Sequence, residues 1–168
     1  MKINYFAFGS NLSSPRLLHR LPQAEIGDVA TLGRHRLCWR KNDQGQSGKC
    51  DIAFTGDTGD VVYGVVYQMT HSERLELDVI ESNGFGYERK DVSVTTLAGD
   101  ALEAFTYYAI DIDHEQQPFH WYKEHVLRGA LEHDFPSHYI AQIRATPSID
   151  DHDRERHRRE LSIYPETT

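Results

Sequence analysis

Short apolar runs separated by polar segments fill the first two thirds of the chain. Ile3–Phe8 is mostly apolar on both faces and predicts a central β-strand, and the Val- and Tyr-rich run Val61–Met69 predicts another. Residues 87–97 and 101–110 predict a β-hairpin that turns at the sequence AGD between them. Scattered apolar and β-branched positions over residues 24–41 predict one or two further strands.

Helix signals flank and follow these strands. Ser14 and Pro15 are typical of an N-cap and a first helical position, so a short helix is predicted that ends at Pro22. Thr70 and Glu73 have the spacing of a capping box and predict a helix that runs to about residue 80.

The last third of the chain is helical in pattern. Apolar residues at helical spacing begin at Phe119 and predict an amphipathic helix, and a second helix is predicted to begin near Pro136. Residues 1–150 are therefore assigned to one domain, and residues 151–168 to a charged tail that forms a solvated helix or a frayed end. Strands that precede helices, without regular alternation, favour an α+β fold.

Composition narrows the possible partners. The 168 residues, 39% hydrophobic and 26% charged, suit a single globular domain. A formal charge of −8 disfavours nucleic acid and anionic membranes as partners. No apolar run approaches the roughly 18 residues that span a bilayer, and no signal peptide is recognisable. The two cysteines, Cys38 and Cys50, fit a reducing compartment, so we expect a cytoplasmic protein.

One segment, residues 41–51, is almost entirely polar and predicts a loop, KNDQGQSGKCD. Part of it resembles a phosphate-binding loop, but Asp43 stands where that motif needs its first glycine, and Cys50 stands where it needs a hydroxyl. A nucleoside triphosphate site is therefore not expected.

Metal and nucleophile sites are also disfavoured by spacing. His120 and His125 are five positions apart, not the four that place two imidazoles on one helical face. No G-x-S-x-G elbow is found. We therefore expect no metal, no cofactor and no covalent intermediate.

Two segments remain as candidates for chemistry. The first strand runs into the small polar residues Gly9, Ser10 and Asn11, which form either a tight surface turn or a loop whose N–H groups bind an anion. Glu81 closes the predicted helix and enters a segment with two glycines and aromatic neighbours. It is either a solvent-facing residue at a helix end or a partly buried general base.

Three stretches together resemble the γ-glutamylcyclotransferase family: YFAFGSNL from Tyr5, VVYGVVYQM from Val61, and LELDVIESNGFGYERKDV from Leu75. The resemblance continues to about residue 150. It implies a single-domain mixed β-barrel with flanking helices, and an enzyme that releases 5-oxoproline and an amine or amino acid. By the same resemblance the catalytic residue is Glu81. The implied substrate-binding residues are Phe8, Gly9, Ser10, Asn11, Leu12, Tyr87, Tyr107 and Tyr122.

The chain departs from the family pattern at two positions. Phe8 replaces a usual tyrosine, and Ser82 replaces the glycine that follows the catalytic glutamate. Neither change removes the chemistry, because the α-amine of the substrate is the nucleophile and good orientation of such an internal attack is worth roughly 7–11 kcal/mol. One carboxylate would take the proton of the amine and pass it to the leaving group, while the loop N–H groups and the helix N-terminus at Pro15 hold negative charge.

Several points stay open at the level of sequence. A non-catalytic module that binds a small ligand in the same fold is the alternative from another class. The same chemistry on γ-glutamylamines or on glutathione is a third possibility. A homodimer is compatible with the aromatic content.

Overall fold

The computed structural model describes residues 1–165 and contains seven strands and five α-helices there. The strands are β1 (Ile3–Ala7), β2 (Glu25–Gly33), β3 (His35–Asp43), β4 (Ser47–Phe54), β5 (Val61–Met69), β6 (Tyr87–Thr96) and β7 (Ala101–Ala109). The helices are α1 (Ser14–Arg20), α2 (His71–Ile80), α3 (His120–Glu132), α4 (Ser137–Ala145) and α5 (Arg154–Leu161), and Ser10–Leu12 forms a 3-10 turn before α1.

Five strands close into a barrel in the order β1-β5-β2-β6-β7, and β7 pairs with β1 to complete it. That closing pair is parallel and the others are antiparallel, so the barrel is mixed. The predicted α+β fold is confirmed, as are the strands β1, β5, β6 and β7. Residues 24–41, where one or two strands were expected, contain β2 and most of β3.

Close packing between β1 and β5 explains the glycine inside the strongest strand signal. A Cβ atom on Gly64 would lie 2.4 Å from the ring of Phe6 and 2.5 Å from the carbonyl oxygen of Ala7. Only glycine lets the two strands approach this closely, with the Phe6 ring fully buried across them. The pairing of β1 with β5 ends at Ala7 and Val65, and β1 leaves the barrel after this pair.

The prediction of a loop at residues 41–51 is wrong. These residues form the end of β3, a turn and the start of β4, which pair as a separate two-stranded sheet. Gln44 and Gly45 both have positive φ, the geometry of a hairpin turn. The strands are polar because their buried groups are paired: the Asp51 carboxylate accepts from Arg40 at 2.8 Å and from the Ala109 N–H at 2.7 Å.

The predicted helices form with small corrections. The N-cap of α1 is Ser13 and not Ser14. Ser14 is the first helical residue, and its N–H donates to the Glu132 carboxylate at 3.1 Å, a partner that is distant in sequence. The charged tail contains α5, which has no buried residue but is held to α1 by the ion pair between Glu160 and Arg16. The division of the chain at residue 150 stays a prediction. No helix within residues 1–165 is long and apolar enough to cross a bilayer.

Candidate active site

A cavity of about 30 Å³ lies where β1 leaves the barrel. The residues that line it are Tyr5, Phe8, Gly9, Ser10, Asn11, Cys50, Glu81, Tyr87, Tyr107 and Tyr122. The structure therefore brings together all the predicted site residues except Leu12, and it adds Tyr5 and Cys50. The volume is small for a glutamyl group, so we expect lining side chains to move apart when a ligand binds.

The small residues after β1 let its backbone reach the cavity. A Cβ atom on Gly9 would lie 3.0 Å from the Cβ of Cys50 and 3.3 Å from the hydroxyl of Tyr122, so a larger residue would crowd both. The 3-10 turn is closed by the N–H of Leu12, which donates to the Gly9 carbonyl at 3.0 Å. Within residues 1–165 the N–H groups of Gly9, Ser10 and Asn11 donate to no other group. These N–H groups are available to an anion.

Leu12 does not contribute to the cavity, which corrects the sequence interpretation. Its side chain is fully buried against α3, and its carbonyl accepts from the Tyr67 hydroxyl at 3.3 Å. The start of α1 is also not free for a ligand, because the Glu132 carboxylate accepts from the Ser14 N–H. Anion binding at this end of the molecule therefore rests on the loop before α1.

The end of helix α2 presents Glu81 to the cavity. Glu81 is the C-cap residue, and Ser82 after it has a φ of 52°. The Ser82 N–H donates to the Val79 carbonyl, and the Asn83 N–H donates to the Asp78 carbonyl. This pair of bonds is a Schellman motif, which ends the helix and changes the direction of the chain directly after Glu81.

Hydrogen bonds hold the Glu81 carboxylate in place. Its side chain is only 18% exposed, and its Oε1 accepts from Asn11 Nδ2 at 3.0 Å. The side-chain oxygen Oδ1 of Asn11 in turn accepts from Arg20 Nη1 at 3.2 Å, and the same Nη1 lies 3.6 Å from Glu81 Oε1. The loop and the carboxylate, seventy positions apart in sequence, are thus joined directly.

Helix α2 is tied to the barrel one turn before Glu81. Asp78 forms an ion pair with Arg89 on β6 and accepts from the Tyr107 hydroxyl on β7 at 2.7 Å. Tyr107 lines the cavity, but its hydroxyl proton is directed to Asp78. It therefore supports the helix that carries Glu81.

Two of the other tyrosines share one backbone partner. The Tyr87 hydroxyl donates to the Cys50 carbonyl at 2.6 Å, and the Tyr122 hydroxyl accepts from the Cys50 N–H at 3.0 Å. Together they fix β4 in the cavity wall. Because the Tyr122 hydroxyl oxygen accepts the bond from Cys50, the hydroxyl proton can be donated to a ligand in the cavity.

Tyr5 and Cys50 are the functional candidates that sequence reasoning missed. The Tyr5 hydroxyl accepts from Asn11 Nδ2 at 3.1 Å, which leaves its proton for a ligand. Burial raises the pKa of Tyr5 and of Tyr122 well above the usual range, so both hydroxyls stay protonated and can donate. Burial also raises the pKa of the Cys50 thiol, and a protonated thiol is a poor nucleophile.

Other parts of the described chain offer less chemistry. A larger cavity of about 680 Å³ is lined by charged residues of the segment 150–158. Its best-placed carboxylate, Asp151, is already bound by Arg156 and by the Trp121 indole N–H. Within residues 1–165, no group of three or more histidine, cysteine or acidic side chains is arranged to hold a metal ion.

The chain is similar to known proteins in both sequence and fold. A model of the AIG2-like family matches residues 61–143. Bovine and human γ-glutamylcyclotransferases are each 32% identical to the chain over 146 residues, which is 84% of this chain and 77% of each relative. This chain belongs to the γ-glutamylcyclotransferase family. A solved γ-glutamyl cyclotransferase structure has the same fold, with a TM-score of 0.81 at 29% identity over 90% of this chain and 92% of that one.

The two departures from the γ-glutamylcyclotransferase pattern both lie at the cavity or next to it. Phe8 lines the cavity without a hydroxyl, so the neighbouring Tyr5 and Tyr122 are the tyrosines whose protons face it. Ser82 takes the left-handed conformation that suits a glycine, and the Schellman motif forms in spite of the substitution. Both departures leave the Glu81 carboxylate bound to Asn11.

Proposed function

We propose that this protein cleaves a γ-glutamyl amide by internal cyclisation, releasing 5-oxoproline and an amine or amino acid. The observation that carries the proposal is the 3.0 Å hydrogen bond from Asn11 to Glu81. It sets a carboxylate next to a loop whose N–H groups have no partner within residues 1–165. A proton acceptor and an anion-binding backbone, both within reach of one small molecule, are what this cyclisation needs.

Glu81 acts as the base and then as the acid. Its carboxylate takes a proton from the α-amine of the substrate as the amine attacks the γ-carbonyl carbon and the new carbon–nitrogen bond forms. The same group then gives that proton to the amide nitrogen, the original carbon–nitrogen bond breaks, and the amine leaves. One carboxylate serves both steps because the two nitrogens are attached to the same carbon.

The loop N–H groups and two hydroxyls stabilise negative charge. The N–H groups of Gly9, Ser10 and Asn11 are suited to the α-carboxylate of the glutamyl group or to the oxyanion formed during attack. Tyr5 and Tyr122 add neutral donors that stay protonated. Once the substrate is bound, these donors are held by the 3-10 turn and by the bonds of the two tyrosines to Asn11 and Cys50, so little reorganisation accompanies the chemical step.

The cyclisation depends on the glutamyl unit and not on the leaving group. γ-Glutamyl amino acids, γ-glutamylamines and glutathione all carry the glutamyl unit on which this chemistry depends. The cytoplasmic location expected from the two cysteines, Cys38 and Cys50, is part of this proposal. A metal or cofactor has no step to perform in this mechanism.

The replacement of Glu81 by glutamine tests the assignment of the base. We expect Glu81→Gln to fold and to bind substrate, because glutamine keeps the size of the side chain and can still accept a bond from Asn11. Turnover should fall by about 10²–10⁴-fold, the usual contribution of general acid–base catalysis. The measurement is release of 5-oxoproline from a γ-glutamyl dipeptide, with Glu76→Gln on the exposed face of the same helix as the control.

Three outcomes would contradict the proposal. If Glu81→Gln keeps more than about a tenth of the activity, Glu81 is not the base. If the wild-type protein binds γ-glutamyl compounds but releases no 5-oxoproline, it is the non-catalytic binding module. If it cleaves an N-acetylated γ-glutamyl amide at a comparable rate, the substrate amine is not the nucleophile and the protein is a hydrolase.

A further inference from the structure

Arg20 is the last residue of α1, and its guanidinium lies against the Glu81 carboxylate. Its Nη1 donates to Asn11 Oδ1 at 3.2 Å and lies 3.6 Å from Glu81 Oε1. Leu17 and Leu21, which come before and after it in the sequence, are fully buried and hold this end of α1 in the core. The backbone of Arg20 is therefore fixed by core packing, whether or not a ligand is bound.

The hydrogen bonds of Asn11 allow only one orientation of its amide. Its Nδ2 donates to Glu81 Oε1 and to the Tyr5 hydroxyl, and its Oδ1 accepts from Arg20. If the amide were turned over, its oxygen would face the carboxylate of Glu81 and its NH₂ group would face the guanidinium. Because a guanidinium can only donate, Arg20 keeps the NH₂ group of Asn11 directed at Glu81.

The two oxygens of Glu81 have different surroundings. Oε1 accepts from Asn11 and lies beside Arg20. Oε2 accepts no hydrogen bond within residues 1–165. A general base acts through a lone pair that is directed at the proton it takes. Oε2 is therefore the oxygen through which Glu81 can exchange a proton with a substrate.

The charges around Arg20 are paired so that its own charge is left for Glu81. Arg16, one turn earlier in α1, pairs with Glu160 of α5. Within residues 1–165, Arg20 is the one basic side chain that forms an ion pair with Glu81. Burial lowers the pKa of Arg20 and the charge of Arg16 lowers it further, whereas Glu81 acts in the opposite direction. The carboxylate and the guanidinium thus stabilise each other's charged form.

We propose that Arg20 is a positioning residue for the cyclisation, which pairs with Oε1 of Glu81 and orients Asn11 so that Oε2 carries the proton. This inference rests on the proposed function. The cavity lining within residues 1–165 does not include Arg20, so Arg20 acts through Glu81 and not on the substrate. Without it, the carboxylate and the amide of Asn11 would each adopt several orientations. The rate of the chemical step would then fall while the affinity for substrate stayed the same.

Replacement of Arg20 by glutamine and by lysine tests the proposal. We expect Arg20→Gln to lower kcat by between about tenfold and about a hundredfold, the cost of a small misplacement of a catalytic group. KM should stay within about threefold of the wild type, because no contact to the substrate is lost. Arg20→Lys should recover part of kcat, since an ammonium keeps the positive charge and a donor for Asn11. The measurement is 5-oxoproline release from γ-glutamyl-L-alanine, with urea unfolding as the check that both variants are folded.

Two further variants separate positioning from other effects. Arg158→Gln removes the same charge from an exposed site on α5, and it should have the kcat and KM of the wild type. In the inactive Glu81→Gln background, the addition of Arg20→Gln should leave the Kd for γ-glutamyl-L-alanine unchanged in calorimetry. A residue that bound the substrate would weaken that Kd.

The outcomes distinguish this inference from the proposed function. If Arg20→Gln keeps kcat within about threefold of the wild type, or if lysine recovers none of the loss, Arg20 does not position Glu81. If the double variant binds γ-glutamyl-L-alanine about tenfold or more weakly than Glu81→Gln alone, Arg20 is a substrate-binding residue. Each of these results contradicts the inference and leaves the cyclisation standing. If the wild-type protein itself releases no 5-oxoproline, the proposed function fails and this inference fails with it.

Discussion

Asn11 is the residue on which the geometry of the site converges. Its amide nitrogen donates to Glu81 and to the Tyr5 hydroxyl, and its amide oxygen accepts from Arg20. An aspartate of the same size would place a second negative charge against Glu81, and a serine would reach fewer partners. The asparagine in the loop is therefore required by hydrogen-bond chemistry as well as by the turn it occupies.

Ser82 is a residue at which the chain carries strain. Its φ of 52° costs a non-glycine residue about 1–2 kcal/mol. Since glycine also loses more entropy on folding, we expect Ser82→Gly to raise the free energy of unfolding by a net of about 0.5–1 kcal/mol. Urea denaturation measures it, and Ser82→Ala is the control because alanine keeps the steric cost. Equal stabilisation by both variants would show that the serine hydroxyl, and not the backbone, is responsible.

Single residues show what sequence could and could not reveal. Glu81 and the loop from Gly9 to Asn11 were recognised as candidates because an acidic residue ends a predicted helix and small polar residues follow a predicted strand. The family resemblance then assigned their roles. Tyr5 was missed because it occupies a strand position that reads as ordinary core, and Cys50 was missed because it lies in the polar segment that predicts a loop. Both residues line the cavity only because β1 and β4 come together there, and a short stretch of sequence does not predict which strands come together.

At the scale of elements, the wrong prediction concerns a polar β-hairpin that is stabilised by hydrogen bonds of its buried groups. Strands β1 and β5 to β7 carry enough apolar and β-branched residues to be recognised alone. The β3–β4 hairpin is polar, and its buried Asp51 is satisfied by Arg40 and by the backbone of Ala109. Arg40 lies on the paired strand β3 and Ala109 in the barrel, so neither bond can be foreseen from the polar segment itself.

Helix α3 holds the binding loop through a contact that admits no side chain. A Cβ atom on Gly129 would lie 2.4 Å from the Cβ of Leu12 and 2.6 Å from the backbone nitrogen of Ser13. We expect Gly129→Ala to push the loop away from α3, with a destabilisation of about 1–3 kcal/mol and a raised KM. The checks are urea unfolding and steady-state kinetics of 5-oxoproline release.

Gly33→Ala is the control for that change, because a Cβ atom on Gly33 meets nothing within 4 Å. It should leave both stability and KM close to the wild-type values. A Gly129→Ala variant that matched this control in both measurements would show that α3 does not position the loop.

At the scale of the whole molecule, the C-terminal segment is joined to the region behind the active site. Glu160 on α5 pairs with Arg16 on α1, and the Tyr164 hydroxyl donates to Ser13 Oγ at 2.7 Å. The sequence alone does not predict these long-range contacts, because the segment shows only a high content of charged residues.

A homodimer stays a prediction. The strongly exposed apolar side chains of Val79 and Phe85, near the site, are compatible with one.

His125 lies at the centre of the contacts between the C-terminal segment and α1 and is fully buried. Its Nε2 lies 3.0 Å from Arg16 Nη1 and 3.1 Å from Glu160 Oε2, and its Nδ1 lies 2.6 Å from the Tyr164 hydroxyl. The Tyr164 hydroxyl in turn donates to Ser13 Oγ. Protonation of the imidazole would bury a second positive charge beside Arg16, and the Glu160 carboxylate only partly offsets that cost.

The burial of His125 therefore predicts that the fold is sensitive to mild acid. Burial lowers the pKa of His125 from 6.5 to about 4, so above pH 6.5 the stabilisation is fully present, and it is lost as the pH falls towards 4. Between about pH 7.5 and about pH 5 this single group should remove about 2 kcal/mol from the free energy of unfolding. Urea unfolding of the wild type at the two pH values measures the loss, which His125→Gln should reduce by about 2 kcal/mol and the exposed-site control His71→Gln should retain in full. If His125→Gln loses stability over the same interval as steeply as the wild type, another group is responsible, and the buried imidazole does not couple the C-terminal segment to pH.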